Sequence, residues 1–64
     1  MKKLTIGEKL RQLRGDRTQA QVAKELGISE AAVCAYENDQ RVPRDRLKSQ
    51  IASYFGTTVQ DLFF

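Results

Sequence analysis

Gln19-Ala20-Gln21-Val22-Ala23-Lys24-Glu25-Leu26-Gly27-Ile28-Ser29-Glu30-Ala31-Ala32-Val33-Cys34-Ala35-Tyr36 is the stretch on which the fold turns. Two helices meeting at a tight corner need a small residue where their backbones approach, a residue that tolerates positive φ in the corner, and apolar side chains that hold the second helix down. Counted from Gln19 as position one, Ala23 falls at five, Gly27 at nine, Val33 at fifteen and Tyr36 at eighteen, while Val22, Leu26 and Ile28 fill the remaining apolar places. Thr18 before the first of these helices and Ser29 before the second can each accept from a free backbone N–H of the first turn. Glu30 sets negative charge at the positive end of the second.

Helical spacing continues on both sides. Ile6, Leu10 and Leu13 form one stripe of a first helix from about Ile6 to Arg14, closed by Gly15-Asp16. The helix after the corner runs to about Asn38, and the basic loop Arg41-Val42-Pro43-Arg44 follows. Pro43 sets the chain direction before Asp45, Leu47, Ile51, Ala52 and Phe55 lay out a fourth helix, which Gly56 ends. Thr57 or Thr58 can cap a last short turn carrying Val59, Leu62 and Phe63. No segment of four or more residues alternates with period two, so the expected class is all-α: five short helices in a single domain, residues 1–64.

Sixty-four residues lie near the lower limit for a self-sufficient core, which excludes large catalytic architectures. One cysteine cannot form an internal disulfide, and the absence of histidine removes the usual zinc ligand sets, so no metal and no cofactor are expected. No nucleophile stands beside a base in a cleft-forming scaffold, so the chain does not read as an enzyme, and no small-molecule ligand is evident. The charged N-terminus Met1-Lys2-Lys3-Leu4-Thr5 leads into Gly7-Glu8-Lys9, not an apolar run, so no secretory signal is expected. No apolar stretch approaches the roughly 20 residues that cross a bilayer, which makes cytoplasmic residence the expectation. Eleven Lys and Arg against eight Asp and Glu give +3, a mild excess that fits a polyanionic partner.

A corner of this kind is a helix-turn-helix, whose second helix lies in the DNA major groove. At about 100° per residue, Ala32, Val33 and Tyr36 share the core side of that helix, and Glu30, Ala31, Cys34 and Ala35 share the opposite arc. Guanine is usually read by an Arg or Lys fork, and this arc has neither. Ala31 and Ala35 are therefore expected against thymine methyl groups, while Glu30 either accepts from a cytosine amino group or serves its own helix start. Affinity then falls largely to the sugar-phosphate backbone, with Gln19 and Ser29 at helix starts and Arg41 and Arg44 in the loop as candidate phosphate contacts. Arg46 and Lys48 continue the basic run, the other reading of which is a solvated surface cluster. Cys34 reads as a passive small side chain on the base face, the other reading being a redox or metal-responsive switch.

These residues resemble the phage repressor and Cro-like helix-turn-helix family, the XRE-type regulators. The resemblance runs from Ile6-Gly7 and Leu10-Arg11-x-Leu13-Arg14, through Thr18-Gln19-x-x-Val22-Ala23-x-x-Leu26-Gly27-Ile28-Ser29, to Val33-x-x-Tyr36-Glu37-Asn38, Arg41-x-Pro43, Leu47, Ile51-Ala52 and Leu62-Phe63. It implies a compact five-helix, lambda-repressor-like domain that binds double-stranded operator DNA as a two-fold dimer. It also implies that Gln19 bridges phosphate and base, that Glu30, Ala31 and Ala35 are base-reading positions with Ser29 and Cys34 nearby, and that Arg14 and Glu37 form a partly buried structural ion pair. Two departures stand out. Asp39 occupies the place where the family usually has glycine, so an altered exit from the third helix is expected. The turn Gly15-Asp16-Arg17 is also shorter than in many relatives.

Tyr54, Phe55, Leu62, Phe63 and Phe64 are more bulky side chains than a short terminal helix readily hides, so some are expected at a homodimer interface. The other reading has Phe63 closing the monomer core and Phe64 fraying. The expected function is sequence-specific binding of double-stranded DNA as a dimeric repressor. Its rival is a protein-interaction module of antirepressor or antitoxin type, suggested by the acidic Glu30, Glu37 and Asp39 around the third helix.

Overall fold

Four of the five helices begin where a hydroxyl side chain closes the first turn. Thr5 caps α1 (Ile6–Arg14), Thr18 caps α2 (Gln19–Leu26), Ser29 caps α3 (Glu30–Glu37) and Thr58 caps α5 (Val59–Phe63). Each hydroxyl accepts from the backbone N–H three residues on, at 3.0 to 3.1 Å. At α1 the bond is reciprocated, since the Glu8 carboxylate accepts from Thr5 N–H at 2.9 Å and completes a capping box. The remaining helix, α4 (Asp45–Tyr54), starts after Arg44 with no side-chain cap. The computed structural model describes residues 3–64; Met1 and Lys2, part of the expected domain and of the charged N-terminus, lie outside the described residues.

Among the described residues the fold is these five helices, with no strand. α3 packs against both α2 and α1, α4 against α5 and α2, and α1 also touches α5. One core cluster gathers Leu10, Tyr36, Ile51, Ala52, Leu62 and Phe63, and a second gathers Val22, Ala23 and Val33 under the corner. Leu26, Ile28 and Phe55 pack against both and join them. Every helix thus reaches a cluster through the stripe that its sequence period predicts, and α5 closes the far side over α1 and α4.

Where the sequence left a choice, Thr58 rather than Thr57 caps α5, and α3 ends at Glu37 with Asn38 as its cap. The expected disturbance at Asp39 is absent. Asp39 takes φ 59°, its N–H reaches Tyr36 O at 3.3 Å, and Gln40 N–H reaches Ala35 O at 2.9 Å, the two hydrogen bonds of a Schellman exit. Aspartate does here what glycine does after α2.

Candidate nucleic-acid interface

The corner between α2 and α3 is built from Gly27, Ile28 and Ser29. Gly27 sits at φ 72°, ψ 30°, where a side chain is disfavoured although a Cβ would meet nothing within 4 Å; its handedness, not lack of space, calls for glycine. Ile28 N–H closes on Ala23 O at 3.0 Å. Ala23, Val22 and Val33 are buried beneath the corner, and Tyr36 is buried one turn further along α3. With its underside held in this way, α3 cannot roll, and the arc opposite the core is defined.

That arc carries Glu30 and Ala31 exposed, with Cys34 and Ala35 half-buried. Cys34 Sγ accepts from Asn38 Nδ2 at 3.3 Å, and Asn38 Oδ1 accepts from Arg11 Nη2 at 3.1 Å. Asn38 lies one turn beyond Cys34 and extends the same arc; its helical spacing from Cys34 was the signal, although the sequence reading used it only as the end of the helix. Ser29, exposed, turns its hydroxyl to its own helix, accepting from Ala32 N–H.

Behind the arc lies a buried carboxylate. Glu37 is 4% exposed and accepts from Arg14 Nε at 2.6 Å, Arg14 Nη2 at 3.1 Å and Gln19 Nε2 at 3.0 Å. Arg11 Nε stands 3.9 Å away, and Arg14 Nη1 also donates to Arg17 O at 2.7 Å. The hydrogen bond to Glu37, aided by its charge and opposed by desolvation, holds the Arg14 guanidinium above its ordinary pKa. Among the described residues no buried side-chain nitrogen or oxygen lacks a partner, so the charge carries its full set of bonds. Gln19 thus directs its amide nitrogen inward, tying the start of α2 to the end of α3; spacing alone could not reveal that contact.

Arg41 and Arg44 are exposed on the loop that follows, and Pro43 between them is buried. The Arg41 guanidinium lies 5.9 Å from the centre of the Tyr36 ring. Arg46 is exposed on α4, but Lys48 leaves the basic run: its Nζ lies 5.2 Å from the Phe64 ring, 5.7 Å from that of Phe63 and 3.8 Å from Asp45 Oδ1.

The profile of the helix-turn-helix domain family matches residues 5–62, all five helices but for the last residue of α5. An uncharacterized HTH-type transcriptional regulator of Methanocaldococcus jannaschii is 37% identical over 46 residues, which cover 72% of this chain and 70% of that protein. The chain belongs to the XRE-type helix-turn-helix family.

In this XRE-type domain the five bulky C-terminal residues divide, and Phe63 closes the monomer core, as one of the two readings expects. Leu62 and Phe63, at 2% and 6% exposure, belong to the core of the chain itself and are not available to a partner, because α5 folds back over α1 and α4. Phe64, 75% exposed, is the one of the five fully open to solvent. Tyr54 and Phe55 are half-buried and meet edge to face at 4.9 Å, with the Arg17 guanidinium 5.2 Å and 5.8 Å from their ring centres. Tyr54 Oη donates to Glu25 at 2.8 Å, and burial together with this carboxylate raises its pKa. No group of metal-ligating side chains occurs among the described residues, and none of their helices is long and apolar enough to cross a membrane.

Proposed function

We propose that this helix-turn-helix protein is a transcriptional regulator that binds double-stranded DNA with α3 in the major groove, and that it acts as a dimeric repressor on a pseudo-palindromic operator. The observation that carries the reading is the outer arc of α3. Glu30, Ala31, Cys34 and Ala35 face away from the core on a helix locked from beneath, and exposed Arg41 and Arg44 follow α3 in the chain.

Such an arc divides the labour of binding. Arg41, Arg44 and the free N–H groups at the start of α2 supply backbone contacts, which set affinity and register but carry no base information. The bases are read by short side chains: Ala31 and Ala35 against thymine methyl groups, and Glu30 toward a cytosine amino group or its own helix start. A two-fold dimer presents two such helices about 34 Å apart, one turn of the duplex. Exposed Phe64 is the candidate for contact between the two copies. Occupying an operator excludes other proteins from the same DNA, which is repression without any catalytic step.

Selection of bound sequences from a random duplex pool tests the proposal. The expected product is an inverted repeat rich in A·T at the positions under α3. Enrichment of a single asymmetric half-site removes the dimer, and no enrichment at any salt removes DNA reading. The second outcome favours a protein-interaction role, for which the exposed acid Glu30 and the lack of any basic residue on α3 speak.

A further inference from the structure

Asp39 stands in a backbone conformation, φ 59°, that disfavours any side chain, and among the described residues it is the only non-glycine with positive φ. Glycine would make the same turn, so the turn does not account for the carboxylate. Its bonds do. Oδ1 accepts from Gly7 N–H at 2.9 Å and Oδ2 accepts from Thr5 Oγ1 at 2.8 Å. Thr5 Oγ1 in turn accepts from Glu8 N–H. The exit of α3 is therefore stitched to the N-terminal end of α1, where free N–H groups and the helix dipole favour an anion. At the same place a Cβ on Gly7 would collide with the carbonyl groups of Glu37 and Tyr36, so the two backbones touch.

What lies downstream gives the stitch a use. Gln40, Arg41 and Val42 are exposed, and Pro43 is buried again. The strip that carries Arg41 and leads to Arg44 is thus short and pinned at both ends, by Asp39 on one side and Pro43 on the other. We propose that Asp39 is a positioning residue for DNA-backbone contact: by clamping the end of α3 to the start of α1 it fixes where Arg41 and Arg44 stand relative to the base-facing arc. This rests on the reading of those two arginines as phosphate contacts. Side chains held in place before binding lose less freedom on binding, so release of the clamp appears as weaker affinity.

A mutant cycle tests it, with affinity for the selected duplex and for a random duplex measured across salt, and thermal unfolding measured alongside. Asp39→Gly relaxes the backbone while cutting both bonds; it is expected to stay folded and to weaken binding by about tenfold on either duplex. Asp39→Asn, which tolerates the same backbone and keeps an acceptor for Gly7 N–H, is expected to bind within about threefold of the parent. The Arg41→Ala, Arg44→Ala double variant is expected to flatten the salt dependence by about 0.9 in slope for each phosphate lost. In that background Asp39→Gly is expected to have no further effect.

If the tenfold loss persists there unchanged, Asp39 supports the domain as a whole and the positioning role is overturned. If the double variant keeps the affinity and salt slope of the parent, the phosphate reading fails and takes this proposal with it. Should Asp39→Gly not fold, Thr5→Val removes the Oδ2 bond together with the hydroxyl cap of α1 but leaves the turn after α3 in place, and the same coupling to the arginines, measured well below its melting temperature, decides the matter.

Discussion

Glu37 at the end of α3 accepts two hydrogen bonds from Arg14 at the end of α1, 2.6 Å to Oε2 from Nε and 3.1 Å to Oε1 from Nη2, with the Glu37 side chain only 3% exposed. Two helices that are distant in sequence are locked by one charge pair, and Gln19 Nε2 adds the start of α2 to the same carboxylate. Because the pair raises the Arg14 pKa, the stability linked to the arginine is present at neutral pH and is lost as the pH rises into strong base.

Removing one side of a buried pair leaves the other charge without compensation, at about 3–5 kcal/mol. Glu37→Ala is expected near the lower end, since Arg14 retains 19% side-chain exposure. A domain of this size has about 3–5 kcal/mol in total. Thermal unfolding followed by circular dichroism should therefore show Glu37→Ala largely unfolded at room temperature. A cooperative transition at the parent temperature would mean that the pair contributes nothing.

Gly7→Ala should destabilise by about 1–3 kcal/mol, the usual cost of forcing atoms into a packed site. The added Cβ meets the main-chain carbonyl of Glu37 and lies 2.9 Å from that of Tyr36, and backbone cannot step aside as a side chain can. The gain in helix propensity, about 1 kcal/mol, acts in the opposite direction. Chemical denaturation measures the balance, and a more stable Ala variant would show that α1 and α3 are not in contact there.

Leu62→Ala and Phe64→Ala should separate folding from assembly. Leu62 is 2% exposed, so its truncation is expected to cost about 2–5 kcal/mol. Phe64 is 75% exposed, and its truncation should leave the melting temperature within the scatter of surface substitutions, about 0.5 kcal/mol. Sedimentation at matched concentrations then reads the dimer. Weaker self-association of Phe64→Ala is the expected result, and an unchanged equilibrium assigns the contact to another surface.

Replacing thymine by uracil in a selected site removes a single methyl group from the major groove. Opposite Ala31 or Ala35 the loss should be about fourfold in affinity, from roughly 0.8 kcal/mol per buried carbon. Gel shifts with singly substituted duplexes would locate the effect. Uracil tolerated at every position would rule out methyl contact as the means of reading.

The helix limits and the corner were legible because their causes are local. A hydroxyl three residues before the N–H that donates to it, a glycine where the corner turns left-handed, and apolar residues repeating at the helical period all act within a few residues, so Thr18, Gly27, Ser29 and the Val33–Tyr36 stripe declare themselves in the string. The candidate site was legible to the same depth: the arc of Glu30, Ala31, Cys34 and Ala35 follows from periodicity once the core side is known. Asn38 was within reach of that argument and was missed only because it closes the helix.

The rest depends on how the helices cross. The Gln19 bond to Glu37 spans 18 residues, and the bonds of Asp39 to Gly7 and Thr5 span 32 and 34. Pattern shows which face of each helix is apolar; it does not show which helix that face meets or at what angle. Packing therefore decided that Leu62 and Phe63 close the core, that Lys48 turns to the terminal aromatic rings, and that an aspartate in place of glycine becomes a clamp. Short-range hydrogen bonding and periodicity are written residue by residue along the chain, whereas these partnerships exist only once burial of the apolar stripes has brought distant segments together.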